Sequence, residues 1–363
     1  MGLNKKLLNK TAAVSGTAIY DGASYTGNGT GSSYCGADNS GCGTKSIAID
    51  FIPDLFFVKS TDTASGWIVG DSYRGNFNYI TFQSNNANGS GCATGFPNDP
   101  TACSPQGTAG VGNATTYGGT PTSNIVAIDN SLGWWGANKS GAAYMAYGFN
   151  GSGGVSASNS VGDVTSTVYA NSNGSFSVAG YTSITGSSAS TYVGVGITPE
   201  FAMWKRLDAT NDWFCWLQSE GKYGVLNDDA NFIADGSTWF SGNKVLQNTS
   251  ASGQHFVVYS FASVAGVSKV GTYDGDGNAT HAITGVGFQP SFLMIKSVTV
   301  DSTNWEVYDS NRSAGNRLSF NSTAIADDNS SAFGSLDADG FTVKGTSGGT
   351  NASGEKYMYL AFK

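Results

Sequence analysis

Phe51-Ile-Pro-Asp-Leu-Phe-Phe-Val-Lys59, Ile197-Thr-Pro-Glu-Phe-Ala-Met-Trp-Lys205 and Phe288-Gln-Pro-Ser-Phe-Leu-Met-Ile-Lys296 are one string written three times. Each copy reads apolar residue, any residue, Pro, any residue, four mostly apolar residues, Lys. Proline at the front suits the first position of a strand, where its missing N–H breaks no ladder bond. The nearly continuous apolar run that follows predicts a strand buried on both faces. A tryptophan trails each proline at almost constant distance, as Trp67, Trp213 and Trp305. Equivalent placement in each copy points to layer packing rather than to a ligand.

A second string closes each copy: Ser140-Gly-Ala-Ala-Tyr-Met-Ala-Tyr-Gly-Phe149, Ser252-Gly-Gln-His-Phe-Val-Val-Tyr-Ser-Phe261 and Ser353-Gly-Glu-Lys-Tyr-Met-Tyr-Leu-Ala-Phe362. Here the period is two, with Tyr144, Ala146 and Gly148 on one face and Met145, Tyr147 and Phe149 on the other. Two strings recurring in the same order mark an internal repeat, which organises the whole chain. The units run over 16–150, 164–263 and 267–363, with a Gly/Ser linker at 151–163 and an N-terminal arm at 1–15. Turn signals such as Asn171-Ser-Asn-Gly174, Asp274-Gly-Asp-Gly277 and Asp337-Ala-Asp-Gly340 punctuate each unit. The expected fold is all-β: three tandem β-sandwich-like repeat domains with a short N-terminal arm.

Composition agrees and narrows the function classes. Among 363 residues are 51 Gly but only 18 Lys+Arg and 26 Asp+Glu, a net charge of −8. A chain this acidic does not wrap nucleic acid by neutralising phosphates. No apolar run approaches the ~20 residues of a membrane-spanning helix, and no secretory signal is expected. With 2 His, acid–base chemistry has few candidates, and no enzyme activity and no cofactor are expected.

Cysteines fall in two loop pairs, Cys35 with Cys42 and Cys92 with Cys103, and one solitary residue, Cys215. The pairs suit loop-stapling disulfides, with reduced thiols as the alternative; the spacing does not suit zinc. Cys215, between aromatics in a strand-like run, reads as a small buried apolar group. Gly345-Thr-Ser-Gly-Gly349 matches a nucleophile-elbow string but lies in a loop without the strand and helix that motif requires. Asp274, Asp276 and Asn278 resemble half of a calcium loop, although Asp-Gly pairs are ordinary turn residues and turn chemistry is the simpler reading. Trp134, Trp135 and Trp239 lie near the ends of their units and are the candidates for stacking on sugar rings. Leu3, Leu7 and Leu8, with Lys5, Lys6 and Lys10 around them, could dock an N-terminal arm on a partner protein.

The third unit, through Thr272-Tyr-Asp-Gly275, Gly287-Phe-Gln-Pro-Ser-Phe-Leu-Met-Ile-Lys296, Tyr308-Asp-Ser-Asn-Arg312, Leu336-Asp-Ala-Asp-Gly-Phe341 and Ser353-Gly-Glu-Lys-Tyr357, resembles a repeat domain of virion proteins from marine tailed bacteriophages, often tail-fibre or tail-associated. The first unit is similar through Tyr25-Thr-Gly-Asn-Gly29 and Asp71-Ser-Tyr-Arg-Gly75. The middle unit departs, with Gln218-Ser-Glu-Gly221 where the others carry Asp-Ser-x-Arg. The resemblance implies a structural protein on the particle exterior, assembled in the host cytoplasm. Its expected partners are other virion proteins, further copies of itself and a host surface glycan, with neither nucleic acid nor membrane insertion. A capsid decoration or head-fibre role is the nearest alternative, and a polysaccharide depolymerase or carbohydrate-binding module the alternative of another class.

Overall fold

A computed structural model of the chain describes residues 18–28, 45–75, 78–84, 89–90, 112–113, 125–128, 137–184, 191–234, 236–247, 249 and 251–363. Among these the chain is all-β, built of antiparallel sheets with a single 3-10 turn at Gln218–Glu220. One strand order recurs through it. In the first set of strands an opening strand (Tyr20–Thr26) pairs with the closing strand (Ala143–Phe149). That strand pairs with the signature strand (Leu55–Ser60), which pairs in turn with a hairpin strand (Ile68–Asp71). The second set repeats this as Phe176–Thr182, His255–Phe261, Phe201–Arg206 and Phe214–Leu217. The third repeats it as Ser268–Asp274, Lys356–Phe362, Phe292–Ser297 and Glu306–Asp309. Register recurs too: Leu55, Phe201 and Phe292 each stand opposite the terminal Phe149, Phe261 and Phe362 of the closing strand.

Against one face of each large sheet lies a small three-stranded sheet, such as Tyr192–Gly194, Lys244–Leu246 and Phe240–Ser241 in the second set. Even-numbered signature residues of the first set, Phe56 and Val58, join an outer core with Ile47, Ile49 and Tyr144. The second and third sets have outer cores of their own, around Trp204 with Phe256 and around Phe341 with Tyr359. This is the packing of a sandwich, and it accounts for one face of every large sheet.

The opposite faces do not end in solvent. Leu55, Phe57, Tyr147 and Phe149 of the first set share one core with Phe201, Met203, Tyr259 and Phe261 of the second and Phe292, Met294, Leu360 and Phe362 of the third. Phe149 lies 5.7 Å from Phe176 and 5.1 Å from Phe362, so its ring bridges all three sets. Separate sandwiches strung along a chain would each have their own core and nothing more; here three large sheets converge on a common one. The 151–154 run, expected as a free linker, is clamped instead. The backbone N–H groups of Gly151, Ser152, Gly153 and Gly154 all donate to the Asp54 carboxylate at 2.6–3.0 Å.

The three repeat tryptophans close the arrangement. Trp67 Nε1 donates to the Ser319 carbonyl of the third set (2.8 Å), Trp305 Nε1 to Val225 of the second (3.0 Å) and Trp213 Nε1 to Thr81 of the first (2.9 Å). The acceptors are equivalent, each two residues before the amide (Gln83, Asn227 or Asn321) that caps its own set's tryptophan N–H. The contacts run first to third to second to first and close on themselves, as heterologous contacts do in a ring.

A shared core makes unfolding cooperative across all three sets. Trp213→Ala is expected to cost about 3–5 kcal/mol, and tryptophan fluorescence and far-ultraviolet dichroism should still report one coincident transition. Two separated transitions would refute the common core.

Candidate functional site

The polar constellation that recurs in this fold sits at the end of the hairpin strand. In the first set Asp71 closes the strand, and its carboxylate accepts from Arg74 Nε at 2.6 Å while the Arg74 backbone N–H donates to the other oxygen at 2.9 Å. Tyr259 of the second set donates its hydroxyl to the same carboxylate, also at 2.6 Å. In the third set Asp309 accepts from Arg312 Nε (2.7 Å) and from Tyr147 of the first set (2.8 Å). Each arginine additionally donates Nη2 to a carbonyl on its own hairpin strand, Val69 or Val307, at 3.0 Å. The Asp-Ser-x-Arg element therefore welds neighbouring sets together.

Burial and charge keep these groups in fixed states. Burial pushes both tyrosine hydroxyls well above their ordinary range, and neighbouring Asp71 or Asp309 adds to this, so each phenol stays a donor. Burial works against the charge of Arg74, but Asp71 and Tyr259 outweigh it and hold the guanidinium above its usual pKa.

The middle unit's missing arginine has a structural answer. Leu217 stands where Asp71 and Asp309 stand, Glu220 where the arginines stand, and the tyrosine that would reach across from the third set is Leu360. Both leucines are buried in the common core. The seam between second and third sets has thus exchanged acid, base and hydroxyl together. Losing one partner alone leaves a buried charge uncompensated, whereas replacing all partners by apolar groups is nearly neutral.

Lys59, Lys205 and Lys296 close the signature strings, one residue before each strand ends, and are fully buried. Lys59 Nζ donates to the carbonyls of Ser60 (3.1 Å) and, across the seam, Thr323 (3.3 Å). Lys296 Nζ donates to the carbonyls of Asp229 of the second set (2.8 Å) and Thr303 (2.5 Å). Lys205 donates to the Asn211 carbonyl. Burial pulls all three down to about 8.

Several sequence expectations meet the structure at definite places. Trp239 is 6 % exposed and stacks on Trp216 at 5.1 Å, so its ring belongs to the outer core of the second set and offers no face to a sugar. Its place near the end of the unit misled the sequence reading: that tryptophan faces Trp216 and Tyr223 of the large sheet. Asp276 accepts from the Asn278 backbone and amide (both 2.8 Å) and from Asn351 (3.1 Å), which is turn chemistry. Asp274 points away, 75 % exposed beside Lys356. Among the described residues no group of three His, Cys, Asp or Glu converges. Cys215 is fully buried. His255 bonds Thr182 on the neighbouring strand, and Ser347 caps its own loop. Cys35, Cys42, Cys92, Cys103, Trp134, Trp135 and the arm with Leu3, Lys5, Lys6, Leu7, Leu8 and Lys10 lie outside the described residues. The seams themselves were not foreseen, although Tyr147, Tyr259 and Leu360 at one position of the closing string, matched with Asp309, Asp71 and Leu217, carried the signal.

Residues 113–363 match the family described as Domain of unknown function (DUF7483). The chain belongs to this family. The match takes in the closing strand of the first set and the whole of the second and third, so the DUF7483 region holds every closing string and every residue of the apolar seam. No curated protein and no solved structure matches the chain.

Two predictions follow from the seams. Arg312→Met strands Asp309 and should cost about 3–5 kcal/mol in denaturant unfolding. Adding Tyr147→Leu and Asp309→Leu, which copies the leucine seam, should recover most of that loss; no recovery would mean the leucine seam is not an equivalent solution. For the lysines, the unfolded amine titrates near 10.5 and the folded one near 8. Between these values the folded state binds fewer protons, so stability rises with pH. The gain from pH 7 to 9 should be about 1 kcal/mol per lysine, until the raised tyrosines reverse it above about pH 10. Lys296→Met should remove about one third of the rise, and a flat wild-type profile would count against it.

Proposed function

We propose that this chain is a non-enzymatic structural protein of a bacteriophage particle, a tail fibre or receptor-binding appendage that displays loops to the host surface. It is read as three β-sandwich repeat units, 16–150, 164–263 and 267–363, preceded by an arm that docks on another virion protein. The observation that carries the reading is the ring of tryptophan contacts around one core. Buried Lys59 and Lys296 and the Asp71–Arg74 and Asp309–Arg312 pairs are engaged in joining units, which is the chemistry of a rigid support. The resemblance of its strings to phage virion repeats supports that location. Loops rich in Ser, Thr, Asn and Gly, held on such a support, suit hydrogen-bonding contact with a polar surface, and copies arrayed on one particle convert weak contacts into avidity.

A second reading, capsid decoration, draws on the same ring: a body with three near-equivalent edges mates with a threefold-symmetric site on a shell. Antibody labelling and cryo-microscopy of intact particles separate the two. Density at the tail supports the appendage, density at threefold positions on the head supports decoration, and a chain absent from purified particles refutes both.

A further inference from the structure

The residue after the repeat proline is Asp54 in the first set, Glu200 in the second and Ser291 in the third. Its backbone does the same work each time, accepting from the first residue after the hairpin strand: Ser72, Gln218 and Ser310. Its side chain does not. Asp54 gathers the N–H groups of Gly151–Gly154 together with the Ser72 hydroxyl (2.8 Å), and Glu200 takes the N–H and hydroxyl of Ser263 at 3.1 and 2.5 Å. In both sets the chain that follows the closing strand packs onto this acid.

At the third position the acid is gone and a cleft of about 320 Å³ opens between the signature strand entry, the end of the hairpin strand and the strand Phe333–Asp337. That volume is at the small end of the range for ligand sites. Ser291, Ser310 and Ser313 line it, and their hydroxyls bond nothing among the described residues. Arg312 also lines it, with a side chain only 8 % exposed, and its Nη1 is buried without a partner. A buried unsatisfied guanidinium N–H costs free energy and calls for an acceptor. Pro290 and Leu336 supply apolar wall.

We propose that this cleft binds a single neutral sugar residue of a surface glycan. Sugar hydroxyls both donate and accept, matching the serine hydroxyls, and an oxygen of the ligand would accept from Arg312 Nη1 once the side chains that close that nitrogen off from the cleft give way. Neutrality follows from charge: the guanidinium is already paired with Asp309 at 2.7 Å, so an anion would find no uncompensated cation there. A peptide held as in the other sets is disfavoured, because Ser291 has no carboxylate to gather backbone N–H groups. The sugar C–H faces can lie on Pro290 and Leu336. This deepens the surface-attachment reading by naming its ligand class and rests on it.

The test titrates the full chain with methyl glycosides of glucose, galactose, mannose, rhamnose and N-acetylglucosamine, by ligand-observed magnetic resonance and calorimetry. At least one should bind saturably with a Kd of order millimolar, shifting the backbone amides of Ser291, Ser310 and Ser313. Ser313→Trp, at an exposed position on the rim, should weaken it at least about tenfold. If that variant does not fold, Ser335→Leu and the wild-type amide map decide. The proposal falls if no glycoside saturates, if shifts map elsewhere, if Ser313→Trp binds unchanged, or if N-acetylneuraminic acid or a Gly-Ser-Gly-Gly peptide binds the cleft more tightly. Particle adsorption separates the two levels: free protein that blocks adsorption while binding no glycoside removes the cleft and keeps attachment, and protein that binds glycoside without affecting adsorption keeps the cleft and removes attachment.

Discussion

A strand that is apolar on both faces must be covered twice, and this requirement organises the chain. The small sheet of each set covers one face of the large sheet. Nothing within a set covers the other. Phe57, Tyr147 and Phe149 would lie in water, as would Met203 with Phe261 and Met294 with Phe362, unless the three large sheets met. Burying an aromatic or aliphatic side chain is worth about 1.5–3 kcal/mol, so the many residues in this common core give it the largest share of the stabilisation. The polar contacts at its edges then set register rather than strength. An indole N–H placed opposite a carbonyl fixes how one set sits on the next, because a misplaced neighbour would leave a buried donor unsatisfied.

The same logic explains where charges are tolerated. Asp71 and Asp309 are buried charges that would be costly alone. Each sits with an arginine three residues on and a tyrosine from the adjoining set, so removing any one member is expensive while removing all is not. Leu217 and Leu360 are what removal of all looks like. Two seams of one kind and one of another also break the equivalence of the three sets. They specify which neighbour belongs where, since a tyrosine facing Leu217 would have no acid to receive its hydroxyl.

Much of this was legible in the chain itself. The signature strings foretold strands buried on both faces, and the alternation of Met145, Tyr147 and Phe149 against Tyr144 and Ala146 sorted the closing strand into the two cores it occupies. Trp67, Trp213 and Trp305 read as packing residues and are fully buried. What periodicity cannot express is the identity of the covering surface. An apolar face reads the same whether a sheet of its own unit lies on it or a sheet two hundred residues away, which is why separate sandwiches were the natural expectation. Trp239 failed for a related reason: a place near the end of its unit suggested surface, but Trp216 and Tyr223 of the large sheet claim its ring. The cleft beside Ser291 was invisible, because an Asp, Glu and Ser at one repeat position acquire meaning only once the segments that pack on the first two are seen.

That last position shows how a repeated fold varies a side chain without disturbing its support. The backbone of residues 54, 200 and 291 is bound in the same way in all three sets, so the sheets are indifferent to the side chain there. Where the side chain is an acid, it fastens the following segment and the site is closed. Where it is a serine, hydroxyls line a cleft whose wall includes an arginine already braced by Asp309. The arginine can serve both ends because Nε and Nη2 hold the seam while Nη1 stays uncommitted. A rigid joint between sets therefore also holds an uncommitted, buried donor in a fixed place beside the cleft.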